Sequence, residues 1–132
     1  KTAPTGRDAA RTAAPTPAAT PGQFVPPTFD GDATQFAYHF LPYQSHQFLD
    51  GSLAHLPWLQ EFPDPTTSVM WGSWVEINPA TAAGLQIAQG DLVEVASSVG
   101  TLQTPAFLNP ALAPNIVAMP IGQGHTNFTR YA

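Results

Sequence analysis

The chain has 132 residues, 15 of them proline and 10 glycine, with no cysteine and a formal charge of −5. The lack of cysteine excludes disulfides, thiolate zinc sites and cysteine-ligated iron–sulfur clusters within the chain. From Phe24 onward the only Lys or Arg is Arg130, set against Asp30, Asp32, Asp50, Glu61, Asp64, Glu76, Asp91 and Glu94; such a surface repels polyanions and argues against nucleic-acid binding.

No apolar stretch approaches the ~20 residues that span a bilayer, so direct membrane insertion is not expected. The start at Lys1, without Met, reads as a piece of a longer polypeptide.

Residues 1–23 contain no Val, Ile, Leu, Met, Phe, Tyr or Trp. Such a segment buries too little apolar surface to offset its ordering entropy. Residues 1–27 are therefore expected to be a Pro/Ala/Thr-rich disordered linker, and residues 28–132 the folded domain. The first reading of the linker is an interdomain tether; the alternative is a structured arm wrapping a partner.

"QFAYHFLPY" alternates Phe36, Tyr38 and Phe40 with Ala37, His39 and Leu41, which predicts a strand with one buried face, ended by Pro42. "SLAHLPWLQE" has no sustained period. It predicts a helical turn starting near Ser52 and broken or kinked by Pro57. Leu53, Leu56, Trp58, Leu59 and Phe62 are too many apolar groups for a free loop, so a packed irregular connection over the core is expected.

"WVEI", Trp74 to Ile77, reads as a strand. "NPATAAG" follows with Asn78 as cap, Pro79 at the first helical position and Gly84 as the terminating residue. Gly90-Asp91 is a turn and Leu92, Val93 and Val95 form a strand. Val99-Gly100 turns the chain into "TLQTPAFL", a strand expected to be bent or at an edge because of Pro105. "IVAMP" is the last short strand and leads into "IGQGH". Many short strands with short helices predict an all-β fold, a barrel over a sandwich.

The run from Asn78-Pro79 through Gly84-Leu85, Gly90-Asp91, Val93, Val95, Ser97 and Gly100 to Pro120, Gly122, Gly124 and His125 resembles a known family. It is similar to the C-terminal dinucleotide-binding domain of molybdopterin oxidoreductases, the dimethyl sulfoxide reductase family, over residues 36–132. A narrower resemblance lies in Leu56–Gln60, Glu61 and Pro63–Pro65 and in the terminal "GQGHTNFTRYA". These look like the large iron–sulfur subunit of alternative complex III. The resemblance implies a six-stranded double-psi β-barrel at the end of a subunit of a membrane-associated, quinol-oxidising electron-transfer complex. It further implies the extracytoplasmic (periplasmic) face of the membrane, with other domains and subunits of that complex as partners. In that subfamily the pterin is thought to be absent, so no cofactor is expected in this chain and no catalysis by it alone. Molybdopterin guanine dinucleotide is the expectation if the parent is an active molybdenum enzyme. A partner-recognition double-psi barrel is a further alternative.

Within that frame Gly122, Gln123, Gly124 and His125 are the candidate cofactor-binding residues, either active or vestigial. Two glycines let a backbone approach a ligand closely and its amides form an anion nest; the competing reading is a chain reversal after the last strand. No catalytic or metal site is predicted. His39, His46, His55 and His125 match no zinc spacing. Gly72-Ser73 matches the cleavage bond of pyruvoyl decarboxylases that share this barrel class, but the basic substrate-binding residues are missing nearby, so a turn is the better reading. Asp50, Glu61 and Asp64 read as solvated surface charge. Trp58, Trp71 and Trp74, with Phe48 and Phe62, read equally as an interface or as core.

Overall fold

The computed structural model describes residues 25–125. Most of the expected linker and the last seven residues, 126–132, lie outside that range. The described elements are β1 (His39–Gln44), α1 (Pro57–Gln60), β2 (Val75–Ile77), α2 (Pro79–Gly84), β3 (Leu92–Ala96), β4 (Thr101–Leu108) and β5 (Ile116–Ile121). They form one five-stranded mixed sheet in the order β1-β5-β2-β4-β3. The expected sixth strand and barrel closure are not formed by the described residues. A closed barrel would join the two outer strands, β1 and β3, whereas each pairs on one side only.

β1 starts three residues later than predicted and runs through Pro42, which pairs in register with Met119 of β5. The reason is its place at the sheet edge, where a residue without N–H leaves one ladder intact. The expected buried face is absent too: Phe40 is 53% exposed.

Of the two placements expected for the Pro105 strand, bent or at an edge, the edge is excluded: β4 lies inside the sheet. β3 pairs with residues Thr101–Pro105 and β2 with Ala106–Leu108, so the proline falls where one ladder hands over to the other. α1 begins at Pro57 itself, which occupies its first turn. There the missing N–H is no loss and the fixed φ favours the helix, so Pro57 starts the turn instead of breaking it. In α2 the Asn78 Oδ1 accepts from the Ala80 N–H at 2.8 Å, as a cap should. Gly84 stays helical, and the left-handed residue that turns the chain out is Gln86, φ +60°.

Strand alternation separates two faces. One carries Val75, Ile77, Ala106 and Met119, closed at one end by Ala82 of α2, with Val93, Val95, Leu108 and Val117 packed around them. Both edge strands border an apolar cleft of about 810 Å³ on this face. The other face carries Tyr43, Glu76 and Ala118 and borders a smaller cavity with Asp64 and Thr66.

Candidate functional site

Gly122 (φ +113°) and Gly124 (φ +89°) both take the positive φ that side chains disfavour. The loop they form is packed against the turn at Gly51, itself at φ +92°. A Cβ at Gly51 would stand 2.2 Å from His125 Nε2 and 2.9 Å from Gly122 Cα. One at Gly122 would meet the Phe48 Cβ at 3.0 Å. The glycines therefore permit close packing of two segments of this chain. Of these three glycines, Gly124 alone would place its Cβ against nothing within 4 Å.

Gln123 fixes the loop further. Its Nε2 donates to Gln60 Oε1 at 2.9 Å, and Gln60 Nε2 donates back to Gln123 Oε1 at 3.0 Å. Gln60 Nε2 also donates to the Ala54 carbonyl at 2.7 Å, and Gln60 is 1% exposed. Buried amides with this many bonds are rigid, because each lost partner would strand a polar group. Beside His125, the Asp50 carboxyl is held below its usual value, chiefly by the Ser52 backbone N–H, with His125 a smaller influence. The predicted residues Gly122, Gln123 and His125 are thus gathered at one place, with Gly124 exposed beside them. Gln60 and Gly51 complete the place, and no local sequence signal marked either.

A second polar group lies on the same face as Tyr43. Glu76, 7% exposed, accepts from the Tyr43 hydroxyl and from Trp74 Nε1 at 3.1 Å on Oε1, and from Asn109 Nδ2 at 2.6 Å on Oε2. Burial, then the Glu76 carboxylate, push the Tyr43 phenol well above its ordinary range. Asp64 is buried, 4% exposed, contrary to its reading as surface charge. Its Oδ1 accepts from Thr66 N and Thr67 N at 2.9 Å each and from Thr67 Oγ1 at 3.1 Å, holding the proline-rich loop together. Asp50 and Glu61 are exposed as expected.

The remaining candidates separate. His39 stacks on Phe29 with ring centroids 4.2 Å apart, His46 borders the smaller cavity, and His55 Nδ1 lies 3.1 Å from the Ser52 carbonyl. Ser73 accepts Thr104 Oγ1 at its carbonyl, 2.9 Å, which places Gly72-Ser73 in the approach to β2. The aromatic group divides: Trp74 and Phe48 are core, whereas Trp58, Phe62 and Trp71 are 50–62% exposed.

The matches to known proteins fit this frame. The family model described as "Molydopterin dinucleotide binding domain" matches residues 63–131. The chain belongs to that family. The molybdopterin-containing subunit of arsenate respiratory reductase from Chrysiogenes arsenatis is 33% identical over 108 residues, covering 77% of this chain and 13% of that protein. The corresponding subunit from Shewanella sp. (strain ANA-3) is 31% identical over 103 residues, covering 77% of this chain and 12% of that protein. The chain thus spans about an eighth of these relatives. Acetylene hydratase from Pelobacter acetylenicus matches in structure with a TM-score of 0.55 at 15% identity, over 69% of this chain and 12% of that one. That likeness concerns the fold.

The family's dinucleotide brings a pyrophosphate, which needs amides or cations to hold it. The described side chains do not fit it. The Gln123 amide is engaged by Gln60, the Gly51 hollow is filled by His125 and Gly122, and the Asp50 carboxylate is its neighbour. Residues 25–125 contain no Lys or Arg.

Proposed function

We propose that this chain is the dinucleotide-binding-type domain of a molybdopterin-oxidoreductase-like subunit that holds no pterin of its own. Its role is structural support within a membrane-associated, quinol-oxidising electron-transfer complex of the alternative complex III type. The domain stands on the extracytoplasmic side and contacts other domains and subunits. The observation behind the cofactor-free reading is the reciprocal Gln60–Gln123 pair, which turns the closing loop inward onto its own domain. The sequence from Leu56 to Pro65 supports the assignment to that complex.

The test is metal and nucleotide analysis of the purified parent protein. Substoichiometric molybdenum and no released guanine nucleotide are expected. Stoichiometric molybdenum and guanine would overturn the reading. That outcome would establish the second reading, a pterin-dinucleotide-binding domain of an active molybdenum oxidoreductase. The relatives named as molybdopterin-containing subunits, together with the open space at Gly124, favour this alternative.

A further inference from the structure

Both outer strands of the sheet, β1 and β3, border the apolar cleft of about 810 Å³. The backbone groups each edge presents follow from the bonds at its ends. Ala106 N donates to the Asp91 carbonyl and Ser97 N to the Gly100 carbonyl, both at 2.8 Å, so Val93 and Val95 bond to β4 between them. Alternation turns the N–H and C=O of Leu92, Glu94 and Ala96 outward, where no described residue bonds them. On β1, His39 N donates to the Asn115 carbonyl at 2.9 Å, which leaves Phe40, Pro42 and Gln44 facing outward. Pro42 has no N–H and blunts that edge. β3 has no such guard: it holds no proline and no lysine, and its register with β4 is unbroken by a bulge. An edge of that kind takes up a further strand unless something covers it.

The cleft side of β3 is apolar. Val93 and Val95 pack toward the core, Leu102 opposite Val95 is 45% exposed, and Phe40 of β1 borders the same space. The other side of β3 carries Leu92, Glu94 and Ala96, and residues 25–125 hold no Lys or Arg to pair with Glu94. We propose that an extended strand from elsewhere in the parent polypeptide, outside residues 1–132, adds to β3 and lies in this cleft. It carries apolar residues at alternate positions against Val93, Val95 and Leu102, and a Lys or Arg on the opposite side facing Glu94. Only a peptide strand matches the outward donors and acceptors at their own spacing; a lipid would fill the cleft and leave them unmet. A second copy paired through β3 about the middle of the strand would set Glu94 against Glu94, and like charges directly opposite are destabilising. The chain covers 13% and 12% of the two arsenate reductase subunits it matches, so a protein of that length has ample chain to supply the strand. Tethering would hold it at high effective concentration. The inference rests on membership of a longer subunit, which both functional readings share, and holds with or without a pterin.

The test is residue-resolved hydrogen exchange on the purified parent protein. Val93 and Val95, bonded to β4, exchange slowly wherever the sheet is folded and serve as the internal control. Leu92, Glu94 and Ala96 are expected to be protected as well, although no group in residues 25–125 bonds them. Glu94→Lys should speed exchange at Leu92 and Ala96 by about tenfold while Val93 and Val95 stay slow. A photoreactive benzoylphenylalanine in place of Leu92, which is 69% exposed, should cross-link within the same polypeptide to a segment outside residues 1–132. Fast exchange at the outward amides beside protected Val93 and Val95 overturns the proposal, as does an unchanged rate in Glu94→Lys. So does a cross-link to a second copy, to another protein or within residues 1–132, or no cross-link at all.

Discussion

Gly51→Ala should be far more damaging than Gly124→Ala, although both replace a glycine at positive φ by one methyl group. At Gly124 (φ +89°) the added Cβ meets nothing within 4 Å, so only backbone strain of about 1–2 kcal/mol applies. At Gly51 (φ +92°) the same strain is joined by contacts of 2.2 Å to His125 Nε2 and 2.9 Å to Gly122 Cα and O. Overpacking of that kind costs about 1–3 kcal/mol further. The expected totals are about 1–2 and about 2–5 kcal/mol. In a domain of this size each kcal/mol moves Tm by about 4–8 °C. Thermal unfolding followed by circular dichroism should therefore show a drop of at least about 10 °C for Gly51→Ala, clearly beyond that of Gly124→Ala. Adding His125→Ala to Gly51→Ala should recover part of the loss, since the imidazole is the nearest obstacle, with the Gly122 backbone contact left in place. Equal losses for the two glycine variants would refute the packed-loop reading of the site.

Gln60→Leu strands the Ala54 carbonyl and the Gln123 amide and should cost about 2–3 kcal/mol in a urea titration. Gln60→Leu with Gln123→Leu should cost less than the sum of the two single changes, because both halves of the pair are then removed. Asn78→Ala removes the α2 cap and the 2.6 Å bond from Nδ2 to the Leu112 carbonyl, for a loss of about 1–2 kcal/mol by the same titration. Tyr43 has a folded-state pKa raised above its unfolded value of 10.0, first by burial and then by Glu76. Its contribution is fully present below that value and is lost as pH rises beyond it. Stability measured at increasingly alkaline pH should fall less steeply for Tyr43→Phe than for the parent chain. Parallel slopes would contradict the assignment.

Much of the local structure was legible in the residues themselves. Asn78-Pro79 started α2, Gly90-Asp91 and Val99-Gly100 placed the turns, and the strands from Leu92 to Ile121 fell within a residue or two of their expected positions. Composition likewise fixed the acidic surface and the absence of thiol chemistry. These signals act through the φ preferences and hydrogen bonds of residues no more than about four apart, so they survive without knowledge of the fold.

Other features depended on partners far along the chain. Pro42 reads as the end of its strand, yet it lies within β1; Pro105 reads as bending its strand or marking an edge, yet β4 is interior to the sheet, because only pairing decides which N–H groups a ladder needs. Gln60 and Gln123 are 63 residues apart, and Glu76 and Asn109 are 33 apart, so neither site can be inferred from spacing. Asp64 looked like solvated charge because nothing beside it signals burial. The three tryptophans are chemically identical, and only packing sent Trp74 inward and left Trp58 and Trp71 on the surface. The sequence by itself determined the Asn78 cap and the turns at Gly90 and Gly100. Tertiary structure alone decided that the closing glycines serve contact with Gly51 and Phe48, since close approach of two backbones is a property of the pair and of neither segment.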